Sequence, residues 1–239
     1  MTTERNPAPL GVVPSLDLDS VESLFNVIEQ TRKVPGITEY KLGGGPLRIA
    51  LDEVVKRIRD ITDIPILYDH QKAGMDMPDN AKPYVEKCSE AGVDGLLLFP
   101  VAGPEAVRQF VGRTIDAGMI PVAGGDILLP DYAISDGGFV ADDAWERIVE
   151  IAGGIGGRHF VMPAKRDKVE SRTRWLCEIV DQPVIYIVGF GPLGGRIDEA
   201  FAAAKGAPAL RAIVGRSICA QPDPGEAAKR LVDEVMQFA

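Results

Sequence analysis

The sequence predicts a single (β/α)8 barrel, an α/β fold in which eight parallel strands alternate with eight helices. Short aliphatic or β-branched runs alternate with longer amphipathic segments along the whole chain, and there are eight of each. A chain of 239 residues has the usual length of one such barrel. The first predicted strand leads into Asp17-Leu18-Asp19-Ser20, whereas an open doubly wound sheet usually has a glycine-rich turn there.

The predicted elements cover one domain, residues 1–239, in which residues 1–11 form an extended N-terminal tail. The eight strands are predicted at Val12–Leu18, Ile37–Leu42, Ile64–Asp69, Gly95–Val101, Ile120–Ala123, His159–Pro163, Val184–Val188 and Ala212–Gly215. The eight helices are predicted at Val21–Lys33, Leu47–Thr62, Asn80–Ala91, Pro104–Ala117, Asp142–Gly153, Val169–Val180, Ile197–Lys205 and Gly225–Phe238.

Residues typical of helix starts and ends support these helices. Ser20 and Asp142 are predicted N-caps, and Pro104 and Pro224 fit a first helical turn, where the missing N–H costs nothing. Three helices are followed by a glycine that can adopt the left-handed conformation of a helix end, at Gly92, Gly118 and Gly206.

The composition argues against several classes of partner. The net charge is −9 and no basic stripe offsets it, so we expect neither nucleic acid nor a membrane as partner, while a local basic pocket can still hold a small anion. Cys88, Cys177 and Cys219 lack disulfide or zinc spacing. The chain start has no apolar signal segment, and no apolar run approaches the ~20 residues of a membrane span. We therefore expect a cytoplasmic protein with reduced thiols.

Charged residues cluster where two neighbouring strands end. Lys41 lies one residue before the end of the second predicted strand, Asp69 ends the third, and Lys72 and Asp76 follow it closely. Active sites of (β/α)8 barrels lie at the carboxyl ends of the strands. The alternative for each residue taken singly is an ordinary solvated ion pair, but the grouping at adjacent strands favours a catalytic cluster.

Four segments carry a resemblance to a known family that covers nearly the whole chain. They are similar to a first-strand aspartate motif, a second-strand Lys-x-Gly motif with a following Pro-Leu, a third-strand Asp-Lys-Asp motif and a phosphate-binding Gly-Arg end of the last strand. The chain resembles the orotidine 5'-phosphate decarboxylase superfamily at Leu16-Asp17-Leu18-Asp19, Lys41-Leu42-Gly43 with Pro46-Leu47, Asp69 to Asn80, and Val214-Gly215-Arg216-Ser217-Ile218.

The resemblance implies decarboxylation of orotidine 5'-monophosphate to uridine 5'-monophosphate, without metal or cofactor. Loss of carbon dioxide leaves a poorly delocalised carbanion, which needs a cation and a proton at one point. Lys72 is the implied proton donor, Asp69 and Asp76 hold it in place, and Lys41 completes the alternating network.

The resemblance also implies how the rest of the nucleotide is bound. Asp17 contacts the ribose, and the phosphate is held by the backbone N–H groups of Gly194, Gly195 and Gly215 and by the Arg216 guanidinium.

A homodimer is implied as well. In the family, the residues that align with Asp76 and Asn80 reach into the site of the neighbouring subunit.

The third-strand motif departs from the family pattern in its spacing. Asp69 and Lys72 are three residues apart instead of two, and Lys72 and Asp76 four instead of three. An odd offset on a regular strand would send the side chains of Asp69 and Lys72 to opposite faces. We therefore predict that the strand ends at His70.

Two loops are further candidates for substrate contacts. In the loop after the seventh strand, Leu193 stands where the family usually has Gln, and Arg196 is the candidate replacement. The long segment Gly125–Val140 is a candidate lid.

Other readings of single residues stay open at this point. Asp17 is also a candidate helix cap, and Arg216 could pair with Asp223. The family's sugar-phosphate lyases have Glu where the decarboxylases have the second-strand Lys, and Glu39 lies two residues before Lys41. The functional alternatives are therefore a magnesium-dependent lyase of the hexulose-phosphate synthase or keto-gulonate-phosphate decarboxylase type, and a non-catalytic phosphosugar-binding barrel.

The remaining polar groups point to no further chemistry. His70 and His159 have no partners suited to metal binding or nucleophilic catalysis. Lys165, Arg166 and Lys168 form a basic cluster after the sixth strand, which we interpret as a solvated turn, with a position near an anion as the alternative.

Overall fold

The computed structural model of the protein describes residues 8–18, 20–43, 51–69 and 74–239. Its eight strands are β1 (Leu10–Pro14), β2 (Tyr40–Gly43), β3 (Ile66–Asp69), β4 (Gly95–Leu98), β5 (Ile120–Ala123), β6 (His159–Pro163), β7 (Val184–Val188) and β8 (Ala209–Val214). The helices that the described ranges contain are α1 (Val21–Thr31), α2 (Leu51–Arg59), α3 (Ala81–Glu90), α4 (Pro104–Asp116), α5 (Ala144–Gly154), α6 (Arg166–Ile179), α7 (Ile197–Ala203), α8 (Arg216–Cys219) and α9 (Pro224–Met236). None of these helices has both the length and the hydropathy of a membrane span.

The strands form one parallel sheet that curls into a barrel. Each strand pairs with its neighbours in the order β1-β8-β7-β6-β5-β4-β3-β2. The two ends of this order meet through short bridges, Val12 with Ile37 and Ser15 with Lys41. The Leu16 amide also donates to the Lys41 carbonyl at 2.8 Å. The predicted (β/α)8 fold is confirmed.

Side chains alternate along each strand between two separate cores. Every second side chain of a strand points outward and packs between the sheet and the helices, where these residues form the larger core. The side chains between them point inward and fill the barrel interior, as the two-residue period of a strand requires. The interior core consists of Val13, Leu67, Leu97, Phe99, Val122, Val161, Val184, Tyr186 and Ile213.

A buried polar network closes the interior at the amino ends of the strands. Glu39 accepts a hydrogen bond from Tyr186 at 3.2 Å and lies 3.5 Å from the Arg211 guanidinium. The imidazole of His159 lies 3.2 Å from the same tyrosine hydroxyl. Burial, and secondarily the Arg211 charge, lowers the pKa of His159 to about 3, so this ring is neutral at neutral pH. Glu39 is thus a structural residue of the barrel floor.

The predicted helix signals are largely confirmed. Ser20 caps α1 by accepting a hydrogen bond from the Ser23 amide, and Pro104 and Pro224 open their helices. Gly92, Gly118 and Gly206 have φ of +85°, +73° and +98°. The predicted cap at Asp142 is wrong, because Asp143 precedes α5 and the Asp142 carboxylate instead accepts a hydrogen bond from Ser135.

The first and last strands both differ from their predicted bounds. Leu10 and Gly11, which were assigned to the N-terminal tail, are in β1, and this strand stops at Pro14 rather than Leu18. The last strand likewise starts at Ala209, three residues early, and Gly215 precedes the short helix α8, which the sequence did not predict.

Candidate active site

A cavity of about 430 Å³ opens at the carboxyl ends of the strands. Its apolar lining includes interior residues of β4 and β6 to β8 and the loops that follow β5 and β7. Its polar and charged lining consists of Ser15, Asp17, Lys41, Asp69, Asp126, Arg216 and Cys219. The cavity therefore lies where catalytic sites of (β/α)8 barrels are found.

Lys41 and Asp69 face each other at the bottom of this cavity. Both side chains point into the barrel. Lys41 lies between Tyr40 and Leu42, whose side chains point outward, and Asp69 is two residues beyond Leu67, whose side chain points inward. The Lys41 ammonium lies 2.7 Å from an Asp69 carboxylate oxygen, and the two side chains are only 7% and 5% exposed. The predicted proximity of these two residues is confirmed.

A second carboxylate completes the surroundings of the Lys41 ammonium. Asp17, in the loop after β1, lies 2.9 Å from the Lys41 Nζ. Burial alone would lower the pKa of Lys41, but the charges of Asp69 and Asp17 outweigh it and raise the pKa above its ordinary value. The lysine is therefore charged at neutral pH and is a poor proton donor.

The position of Asp17 explains the glycine in the second-strand motif. A Cβ at Gly43 would lie 1.5 Å from an Asp17 carboxylate oxygen, so only glycine leaves room for this side chain. Ser15 fixes the other oxygen, to which its hydroxyl donates at 2.5 Å. Because Ser20 itself caps α1, the structure gives Asp17 no capping role. About half of its side chain remains exposed at the cavity mouth.

Cys219 also lines the cavity, a position that the sequence did not predict. Its thiol donates a hydrogen bond of 3.4 Å to the carbonyl of Ser15. Burial, together with the nearby Asp17 carboxylate, raises the pKa of Cys219 to about 12. The thiol is therefore protonated and unsuited to nucleophilic catalysis.

The other residues predicted in the third-strand motif are not all in this cavity. β3 ends at Asp69, and Lys72 and His70 lie outside the described residues. Asp76 and Asn80 are exposed on the surface and do not line the cavity of their own chain. The Asp76 carboxylate accepts a hydrogen bond of 2.7 Å from the Met77 amide.

The loop after β7 uses its own amides to hold its shape. The Gly194 N–H donates to the Gly191 carbonyl at 2.8 Å, and the Gly195 N–H donates to the Gly189 carbonyl at 3.0 Å. Neither Gly194 nor Gly195 lines the cavity. The prediction that these two amides hold a phosphate therefore requires the loop to rearrange. Leu193 does line the cavity.

Arg196 and Arg216 have different surroundings. Arg196, the candidate replacement for the family's Gln, is exposed and forms ion pairs with Asp198 and Glu199 away from the cavity. Arg216 lies at the cavity mouth beside Gly215 and forms no ion pair within the described part of the chain. The alternative pairing with Asp223 is absent there, because that carboxylate accepts a hydrogen bond from the Glu226 amide at the start of α9.

A second charged cluster lines the cavity after β5. Arg172 and Lys168 lie 2.7 Å and 3.2 Å from the same Asp126 oxygen. The interpretation of Lys168 as part of a solvated turn is therefore wrong, because its ammonium pairs with a cavity residue. Two sequence features could have indicated this cluster: Asp126 follows β5 closely, and Lys168 and Arg172 are four residues apart on one helix. No local pattern connects the aspartate with the two cations.

The loops after β5 and β7 meet over the cavity. Gly189 has a φ of +98°, and a Cβ there would come within 2.0 Å of the Leu128 side chain. Leu128 belongs to the predicted lid segment, and it packs on the start of the β7 loop. The two loops thus cover one side of the mouth with apolar surface. No three His, Cys, Asp or Glu side chains in the described ranges are grouped as a metal site.

Comparisons with known proteins agree with this architecture. No family model matches the sequence. A curated relative from Pyrococcus abyssi, named orotidine 5'-phosphate decarboxylase, is 25% identical over 226 residues, which are 94% of this chain and 98% of that protein. A protein of the same name from Thermococcus kodakarensis is 25% identical over 77% of this chain and 78% of its own length.

Solved structures give the same result for the fold. Orotidine 5'-monophosphate decarboxylase from Methanocaldococcus jannaschii, in complex with the inhibitor BMP, superposes with a TM-score of 0.79 at 18% identity, covering 95% of this chain and 99% of that one. Orotidine 5'-phosphate decarboxylase from Pyrococcus horikoshii superposes with a TM-score of 0.74 at 21% identity, covering 94% and 99%. The curated relatives confirm the resemblance predicted from the sequence.

Replacing Lys41 with methionine tests the energetic role of the buried pair. The Lys41→Met variant removes the ammonium that lies between the Asp69 and Asp17 carboxylates, so the free energy of unfolding should fall by about 3 kcal/mol. Lys82→Met is the matched control, because Lys82 is 65% exposed in a pair with Glu86 and its loss should cost less than about 0.5 kcal/mol. Urea titrations measure both. Equal stabilities of the two variants would contradict the structural role given to Lys41.

Proposed function

The chain is homologous to orotidine 5'-phosphate decarboxylases across nearly its whole length, and we propose that it catalyses the same reaction. The substrate is orotidine 5'-monophosphate, the products are uridine 5'-monophosphate and carbon dioxide, and the pathway is pyrimidine biosynthesis. The observation that carries the proposal is the Lys41 ammonium held between Asp17 and Asp69 inside a nucleotide-sized cavity.

The reaction makes a specific demand on the site. The bond between C6 of the pyrimidine and its carboxylate breaks, and the electron pair stays on C6 as a carbanion. A proton from the Lys72 ammonium then forms the new C–H bond, and Lys72 regains its proton from solvent. Preorganised charges beside C6 stabilise the developing carbanion most effectively in a cavity from which water is largely excluded.

Lys41 serves this chemistry by positioning rather than by proton transfer. Its raised pKa keeps it charged at neutral pH, so it fixes the Asp69 carboxylate at one orientation throughout the cycle. In the proposed reaction Asp69 acts beside the substrate carboxylate and favours the charged form of Lys72, the proton donor. Arg216 binds the phosphate at the mouth, and half-exposed Asp17 binds the ribose hydroxyls. Binding energy from these remote groups organises the reacting end.

The environment of Glu39 favours this function over the lyase alternative. Sugar-phosphate lyases of the family have Glu at the second-strand position, and Glu39 was the residue that could take that place. Its carboxylate instead contacts Tyr186 and Arg211 on the barrel floor, while Lys41 occupies the cavity.

The proposal predicts metal-independent turnover that depends on Lys72. Purified protein should convert orotidine 5'-monophosphate without added metal, and the reaction is followed as a loss of the pyrimidine absorbance of the substrate. Lys72→Ala removes the proton donor and should lower kcat at least about 100-fold. Lys82→Ala, on the exposed face of α3, should leave kcat unchanged.

Two outcomes would replace the proposal. If the wild-type protein does not convert orotidine 5'-monophosphate but consumes a hexulose or gulonate phosphate in the presence of magnesium, it is the magnesium-dependent lyase. A protein that binds uridine 5'-monophosphate and turns over neither substrate would be the non-catalytic barrel.

The exposed surface around Asp76 supports a homodimer as part of the same proposal. Met75 and Met77 flank Asp76 and are 54% and 67% exposed. Gly103 and Pro104 adjoin these methionines, and the same two residues lie next to Phe139, whose side chain is almost wholly exposed. Apolar exposure of this extent is typical of interfaces. A second copy on this surface would bring Asp76 and Asn80 to the neighbouring cavity.

Light scattering coupled to gel filtration tests the dimer. Met77→Glu places a charge in the proposed interface and should shift the protein from dimer to monomer, with a loss of kcat because the neighbour's Asp76 is removed. Met236→Glu is the matched control, since Met236 is similarly exposed on α9 and should leave the dimer intact. A monomeric wild type, or a dimeric Met77→Glu variant, would refute this assembly.

A further inference from the structure

Ser15 lines the cavity beside the reacting cluster, and the proposed reaction assigns it no role. It follows β1, is only 7% exposed, and its hydroxyl donates a hydrogen bond of 2.5 Å to Oδ2 of Asp17. We infer that Ser15 is a positioning residue that orients the Asp17 carboxylate, so that the protein selects nucleotides that carry ribose hydroxyls. This inference rests on the proposed function, because it deepens the sugar contact given there to Asp17.

The strand period directs Ser15 into the cavity. Val13 belongs to the interior core, and Ser15 follows it by two residues. The bridge between Ser15 and Lys41 continues the strand geometry one residue beyond Pro14. The Ser15 hydroxyl therefore lies on the same side of the barrel wall as Lys41, within reach of the carboxylate two residues further along the chain.

Asp17 needs a group that fixes its orientation. Its side chain is 54% exposed at the cavity mouth, and the loop after β1 carries it. Lys41 contacts the same carboxylate at 2.9 Å, but its ammonium also lies 2.7 Å from Asp69 and is therefore shared between two acids. The Ser15 hydroxyl has a single proton to donate, and Asp17 receives it.

These contacts leave one oxygen of Asp17 for the sugar. Ser15 and Lys41 both donate to Oδ2, and Oδ1 has no hydrogen-bond partner within the part of the chain that the structure describes. The absent Cβ of Gly43 makes room for Oδ1. An ionised carboxylate only accepts hydrogen bonds, and the two hydroxyls of a ribose can donate them. An acceptor that is already oriented loses less conformational freedom when the ligand binds.

Ser15 is itself held by the end of the barrel that is proposed to bind the phosphate. Its N–H donates to the Val214 carbonyl at 2.8 Å, and its carbonyl accepts the hydrogen bond of 3.4 Å from the Cys219 thiol. Val214 ends β8 directly before Gly215 and Arg216, and Cys219 ends α8. Ser15 thus connects the proposed sugar contact to the proposed phosphate contact, which a sugar and its 5'-phosphate would occupy together.

Ser15→Ala should reduce selection for the ribose hydroxyls. The probes are uridine 5'-monophosphate and 2',3'-dideoxyuridine 5'-monophosphate, which lacks both hydroxyls. Isothermal titration of the purified wild type should show a preference for the first nucleotide. In Ser15→Ala this preference should fall by about tenfold, because binding of uridine 5'-monophosphate weakens while binding of the dideoxy nucleotide stays nearly unchanged. Ser15→Thr keeps the hydroxyl and should restore the preference.

Two further variants serve as controls. Ser171→Ala is the matched one, because Ser171 is exposed on α6 and its hydroxyl donates to backbone carbonyls of the same helix. Its affinities for both nucleotides should equal those of the wild type. Asp17→Ala removes the carboxylate through which Ser15 acts, so adding Ser15→Ala to that variant should leave the preference unchanged.

The outcomes separate this inference from the function on which it rests. A preference that falls in Ser15→Ala and returns in Ser15→Thr supports the inference. If Ser15→Ala keeps the wild-type preference, or binds both nucleotides equally more weakly, the inference is overturned, and turnover of orotidine 5'-monophosphate by the wild type still supports the proposed function. If the wild type neither binds uridine 5'-monophosphate nor converts orotidine 5'-monophosphate, the proposed function fails and the inference fails with it.

Discussion

The buried ammonium of Lys41 is the group on which the rest of the site depends. An isolated lysine at this depth would be expected to lose its proton, because removing the charge from water costs several kcal/mol. Two carboxylates within 2.9 Å of the ammonium reverse that tendency. The same contacts join the carboxyl ends of β1, β2 and β3, so one ion cluster both closes the barrel seam and fixes the orientation of Asp69.

The residues that line the cavity differ in chemical character from one side of the barrel to the other. The first three strands supply Asp17, Lys41 and Asp69, the middle of the cavity is apolar, and the side near β5 carries Asp126. Arg216 at β8 provides a cation that has no protein partner in the described ranges. The proposed nucleotide substrate matches this division, because its phosphate, its sugar and its base also differ in chemistry.

Local patterns were sufficient to predict the fold and the central pair. The two-residue period of β2 and β3 turns Lys41 and Asp69 inward, and their positions at strand ends place them together. The ends of β1 and β8 could not be predicted from local pattern, because Gly215 fits a strand end as well as a helix start. The pairing of Asp126 with Arg172 joins residues 46 apart in sequence, and only the folded barrel brings them into contact.

A crystal structure of the protein with bound uridine 5'-monophosphate would show whether the nucleotide occupies the cavity around Lys41. We expect C6 of the base to lie against Asp69 beside Lys41, with the phosphate in contact with Arg216. A base that points away from β2 and β3, or a nucleotide bound outside this cavity, would contradict it.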